Sequence, residues 1–122
     1  MNIKQGSTEK QVAGILKVLG SPFRIQVLYQ IGKGEACVCH LEALLKKRQA
    51  YISQHLMVMR DAGILKTRRD GKYVFYRVAD PKLFELIELT AGVLNIQVEG
   101  KPQDTVSMRV DSCDCPMCKP GS

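Results

Sequence analysis

Apolar residues recur along this chain first with the spacing of helices and then with the alternation of strands. Val12, Ile15, Leu16 and Leu19 follow the i, i+3, i+4, i+7 rule, which predicts an amphipathic helix over about 9–20. Gly20 ends it, and Ser21-Pro22 restarts the chain, with serine as N-cap and proline at the first helical position. A second helix over about 22–30 buries Phe23, Ile25, Leu28 and the following Ile31, and Gly32 and Gly34 break it. Leu41, Leu44 and Leu45 mark a short third helix over about 40–47. A turn at Arg48-Gln49 leads to a fourth over about 50–62, with Ile52, Leu56 and Met59 inward and Gly63 as its stop. The period then changes. Residues 64–69 and 72–79 read as two strands about the hairpin dipeptide Asp70-Gly71. Asp80-Pro81 opens a fifth helix over about 81–96, apolar around most of its circumference (Leu83, Phe84, Leu86, Ile87, Leu89, Val93, Leu94, Ile96), which favours a dimer interface over a solvent face.

Helix, helix, helix, turn, helix, hairpin, helix is the order of a winged helix-turn-helix: mainly α, with a β-hairpin wing. Residues 1–98 read as one DNA-binding and dimerisation domain. Residues 99–122, rich in Pro, Gly, Ser, Asp and Lys and without periodicity, read as a flexible tail. No apolar stretch is long enough for a membrane span, and the polar Met1–Gln11 has no signal-peptide core, so a cytoplasmic protein is expected.

Charge sharpens this reading. Nine bases lie between Lys46 and Arg77 against two acids, Asp61 and Asp70, an excess larger than the +6 of the whole chain. That concentration points to a polyanion. In a helix-turn-helix the start of the second helix meets base edges in the major groove. Here that places Gln49, Ala50, Tyr51, Ser53, Gln54 and His55 at the bases. Gln54 and Gln49 suit bidentate pairing with adenine, and Ser53 suits a base or a phosphate. Lys46, Lys47, Arg48 and Arg60 fit backbone contacts, and Arg68, Arg69 and Lys72 at the wing fit phosphates or a minor groove. The plainer alternatives are packing inside the motif for His55, a surface aromatic for Tyr51, and solubility for the wing cations.

All five cysteines fall in two clusters, Cys37-Val38-Cys39 and Cys113, Cys115, Cys118. An odd number in a reducing compartment speaks for metal or redox chemistry over a disulfide framework. Thiolates select As(III), Sb(III), Cd(II), Pb(II), Hg(II), Cu(I) and, at the borderline, Zn(II). Two thiols leave such a site short of donors, and the tail offers three more, either completing the Cys37/Cys39 site or forming their own. Residues two apart in a helix project roughly 200° from each other, so Cys37 and Cys39 are expected to chelate one ion only where the start of the third helix is irregular or unwound. Small buried residues packing the third helix are the alternative reading. His40 is a further nitrogen donor, with a surface or capping role the simpler expectation.

Ile52-Ser53-Gln54-His55-Leu56, Arg60-Asp61-Ala62-Gly63-Ile64-Leu65 and Leu19-Gly20-Ser21-Pro22-Phe23-Arg24-Ile25 resemble the ArsR/SmtB family of small metal-responsive repressors. Cys37-Val38-Cys39-His40-Leu41 is similar to the family's thiolate box, with His40 where an acid is usual. The resemblance spans about Val12 to Ile96. It implies a homodimer, joined through first and last helices, that holds a palindromic double-stranded operator and releases it when a toxic metal or metalloid binds. As(III) or Sb(III) is the inducer expected first, then Cd(II), Pb(II) or Zn(II). The family's other site uses histidines and carboxylates of the last helix; this helix has Glu85 and Glu88 but no histidine, which speaks against it. Two other functions compete: a thiol redox or reactive-sulfur switch on the same DNA-binding fold, and a thiol oxidoreductase at Cys115-Pro116-Met117-Cys118. The second lacks any thioredoxin-like βαβ pattern, and a non-enzyme is expected.

Overall fold

The computed structural model describes residues 6–97. The tail cysteines, and the reading of 99–122 as a tail, lie outside the described residues. Five helices and three strands follow one another: α1 (Thr8–Leu19), α2 (Pro22–Ile31), β1 (Ala36–Cys37), α3 (Val38–Leu45), α4 (Gln49–Asp61), β2 (Leu65–Asp70), β3 (Tyr73–Val78) and α5 (Lys82–Val93).

The boundaries follow from local chemistry. Ser21 caps α2 by accepting the Arg24 amide at 3.4 Å, with Pro22 at the first helical position. Lys46, in the left-handed conformation, closes α3 two residues earlier than the leucine pattern implied. Gly63, at φ +81°, follows the Ala62 C-cap of α4 and returns its N–H to the Arg60 carbonyl, a stop that suits glycine. Asp80 accepts the Lys82 amide at 2.9 Å, ahead of α5. The hairpin pairs Asp70 with Tyr73, so Gly71-Lys72 forms the two-residue loop, with Gly71 at φ +62°.

The sheet holds one strand more than the sequence pattern implied. Its order is β1-β3-β2, all antiparallel, with Ala36 opposite Tyr76 and Cys37 opposite Phe75. Strand alternation divides its faces. Val74, Tyr76, Val78 and Ala36 face the main apolar cluster of Val27, Leu28, Ile31, Leu41, Ile52 and Leu56. Cys37, Phe75 and Arg68 lie on the opposite face.

The apolar stripe of α1 is only partly covered within the chain. Gly14, Val18 and Leu19 are buried and Ile15 is half-buried, but Val12 and Leu16 stand 49% and 50% exposed. On α5 only Phe84 is buried, while Leu89 is 69% and Val93 74% exposed. Leu16 and Leu19 of α1 and Leu86, Ile87 and Thr90 of α5 line one apolar groove. The helical period marks an apolar stripe without saying which molecule covers it. No helix among the described residues is long and apolar enough to cross a membrane.

The packing predicts a large response at Leu56, which is fully buried at the junction of α4 with the core. Leu56→Ala should cost about 2–5 kcal/mol in urea-induced unfolding; a loss well under 1 kcal/mol would show that α4 is not part of the cooperative core.

Candidate DNA interface and thiol site

Helices α3 and α4, joined by the turn Lys46-Lys47-Arg48, form the helix-turn-helix, and β2–β3 form the wing. Lys46, Lys47, Arg48, Gln49, Ala50, Tyr51, Gln54 and Arg60 are all exposed, and Ser53 is half-buried. The inward positions of α4 are Ile52, Leu56 and Met59. This spacing turns Gln49 and Gln54 outward because the apolar rows lock the opposite side. Arg48 is the N-cap of α4 with no side-chain cap, so the first turn presents backbone N–H groups beside a cation.

His55 takes the interior role weighed for it. Its ring lies 4.7 Å from that of Tyr51 and 5.1 Å from that of Phe23, and its Nδ1 accepts the Arg24 Nε–H at 3.0 Å. The Nη1 of Arg24 also donates to the Val18 carbonyl at 3.0 Å. One guanidinium therefore ties the end of α1 to the recognition helix. The sequence assigns Arg24 no role of its own, because His55 lies thirty-one positions away and no local period reports the pairing.

At the wing, Arg69 and Lys72 are exposed. Arg68 is engaged within the protein. Its guanidinium meets Glu35 through both carboxylate oxygens at 3.0–3.2 Å and lies 4.7 Å over the Phe75 ring. Glu35, two residues ahead of Cys37, is a second residue the sequence reading missed.

The two thiols sit at an irregular helix start of the kind that joint chelation was expected to need. The third helix starts at Val38, and Cys37 is its N-cap, with extended backbone at φ −90°, ψ 168°. The paired residue is thus in strand geometry and only Cys39 in helix, so the roughly 200° divergence of two helical residues does not apply. The sulfurs already lie 2.9 Å apart, without unwinding of α3. Cys37 Sγ also accepts the His40 amide at 3.4 Å and is 3% exposed. His40, expected at the surface or as a cap, is buried, because the helix begins early enough to turn it inward. Among the described residues no group of three or more His, Cys, Asp or Glu side chains converges as a metal site.

The description "Bacterial regulatory protein, arsR family" matches residues 21–67, which run from the cap of α2 through the helix-turn-helix into β2. The biofilm growth-associated repressor of Agrobacterium fabrum is 46% identical over 78 residues, 64% of this chain and 67% of that protein. The chain belongs to the ArsR family. A cadmium resistance transcriptional regulatory protein CadC homologue of Staphylococcus aureus is 33% identical over 63% of the chain and 64% of its own length. Among solved structures, the transcriptional repressor BigR from Xylella fastidiosa superposes with a TM-score of 0.62 at 34% identity, covering 73% of this chain and 91% of that one. The homodimeric winged helix-turn-helix domain of Mb0332 from Mycobacterium bovis gives 0.64 at 26% identity, covering 78% and 93%. This ArsR-family chain is a DNA-binding transcriptional repressor with a winged helix-turn-helix, not an enzyme.

Burial lowers the pKa of both histidines, and at His55 the Arg24 charge lowers it further. A folded-state pKa below the unfolded value means that the folded protein binds fewer protons. Stability is therefore complete above the ordinary imidazole value of ~6.5 and is lost as pH falls through the depressed folded value. Urea unfolding across that range should show the decline, and His55→Gln, which keeps an acceptor for Arg24 but does not titrate, should flatten part of it. An identical profile in that variant would remove His55 from the account.

Proposed function

We propose that this protein is a homodimeric repressor that releases a palindromic operator when a thiophilic metal or metalloid engages Cys37 and Cys39. As(III) and Sb(III) come first, with Cd(II), Pb(II) and Zn(II) as alternatives. The supporting observation is the approach of the two sulfurs to 2.9 Å at the N-cap of the first helix of the helix-turn-helix. The relationship to a CadC homologue supports metal sensing and leaves the ion undecided. A third donor is needed, and Cys113, Cys115 and Cys118 are its proposed source.

The chemistry of the cap gives the coupling a physical route. Two thiolates on one tetrahedral Zn(II) ion with ~2.3 Å bonds stand about 3.8 Å apart, and a pyramidal As(III) or Sb(III) site, with its narrower angles, still holds its sulfurs beyond 2.9 Å. Loading the pair therefore spreads the sulfurs and draws Cys37 away from the His40 amide that it caps at 3.4 Å. Because α3 packs on α4, a disturbed α3 start changes how the recognition helix is presented. On the DNA side, exposed Gln49, Gln54 and Tyr51, with Ser53, are proposed to meet bases. Lys46, Lys47, Arg48, Arg60, Arg69 and Lys72 are proposed to meet phosphates, with His55 supporting the helix from within. The exposed apolar residues of α1 and α5 supply the proposed dimer face, which would set half-sites roughly 34–36 Å apart.

The close sulfur approach also favours a second reading, a thiol redox switch, since 2.9 Å is nearer than two thiolates on one ion would stand.

Operator release should be followed by fluorescence anisotropy with anaerobic, fully reduced protein and a panel of the five ions. Wild type should lose affinity by about fivefold or more with at least one of them. Cys37→Ser and Cys39→Ser should abolish the loss, and serine at Cys113, Cys115 and Cys118 should weaken it. Release by oxidant alone, with no response to any ion, would leave the redox reading. For the dimer, Val93→Asp should shift sedimentation velocity toward monomer and lower operator affinity. An unchanged dimer would place the interface elsewhere.

A further inference from the structure

Cys37, Phe75 and Arg68 form one rung across the sheet: Cys37 pairs with Phe75, and Phe75 pairs with Arg68. Directly paired residues point to the same face, so a thiol of the proposed effector site and a wing arginine flank one fully buried ring. The rung is closed by a second connection. Glu35, on the β1 side, holds the Arg68 guanidinium through both carboxylate oxygens at 3.0–3.2 Å. An isolated surface ion pair contributes little. This one is bidentate, and its arginine is also oriented by lying 4.7 Å over Phe75. Both ends of the pair are thus defined, one two residues from Cys37 and the other three residues from the hairpin loop.

We infer that Glu35 and Arg68 are positioning residues that couple the thiol-bearing strand to the DNA-binding wing, so that the state of Cys37 sets the placement of the hairpin. The inference rests on the reading of Cys37 as an effector residue, and it gives Arg68 a role other than the phosphate contact expected from its charge. A displacement of Cys37 moves β1; Glu35 immediately precedes β1 and moves with it; Glu35 carries Arg68 and with it β2. The route reaches the wing directly through the sheet, beside the route through α3 and α4. Coupling of this kind is reciprocal: if Cys37 biases the wing, DNA on the wing must alter the chemistry at Cys37.

That reciprocity allows a test that needs no metal. The full chain, under reducing conditions, is treated with iodoacetamide with and without saturating operator DNA, and labelling of the Cys37 peptide is followed by mass spectrometry. In wild type, DNA should change the Cys37 labelling rate by about fivefold. In Glu35→Gln and in Arg68→Gln the ratio should collapse toward unity while operator still binds. The exchanged pair, Glu35→Arg with Arg68→Glu, should recover most of the ratio, which a merely misfolded sheet would not do. A wild-type ratio of unity, or full ratios in the single variants, overturns the coupling. So does an Arg68→Gln protein that keeps the ratio and lowers the salt dependence of binding by about one unit of slope, since Arg68 is then a phosphate contact. Failure of the effector reading looks different: metal leaves wild-type operator affinity unchanged while the DNA-dependent labelling persists.

Discussion

The pairing of Ala36 and Cys37 with Tyr76 and Phe75 is the constraint on which the thiol site and its connection to the wing depend. It is only two residues long. It draws the segment after α2 into extended geometry, which gives Cys37 the backbone angles of an N-cap and lets α3 begin at the next residue. The same extension brings the Cys37 sulfur beside that of Cys39. Without it, the two thiols would sit in one helix and face apart.

Both faces of the sheet hold buried residues, and they carry different side chains. One face, carrying Ala36, Val74, Tyr76 and Val78, packs on the helices and belongs to the core. The other carries Cys37, Phe75 and Arg68, with Glu35 reaching across to the arginine. Arg24 and His55 make a comparable connection on the helical side, joining the end of α1 to the recognition helix. The helix-turn-helix is therefore held from two directions. One is the element proposed for dimer contact and the other is the element that carries the thiol.

A thiol that caps a helix is well placed for a sensor. As a cap it accepts only a weak hydrogen bond, from the His40 amide at 3.4 Å, so little must be given up when a stronger partner takes the sulfur. Burial of Cys37 and His40 keeps water from competing and ties any change at the sulfur to packing around it. Membership of the ArsR family sets the frame, DNA binding under control of a second signal. The placement of Cys37, Glu35 and Arg68 is the proposed means by which this chain passes such a signal on.

Local chemistry alone determined much of this molecule. Periodicity and caps located all five helices to within a few residues, because Ser21-Pro22, Gly63 and Asp80-Pro81 act on their own neighbours. The switch to alternation located the hairpin, and the charge concentration, with the motif at Ile52–Leu56, pointed to α4 as the second helix of the helix-turn-helix. Tertiary structure decided the rest. A strand of two residues has no period to read, so β1 and the true start of α3 appear only when β3 arrives from forty residues away. Whether Val12 and Leu16 are buried depends on the surface that meets them, not on their spacing. Whether Arg68 faces DNA or Glu35 depends on a partner thirty-three positions distant. Charge and hydrophobicity belong to residues and can be read in order along the chain; pairing belongs to the fold.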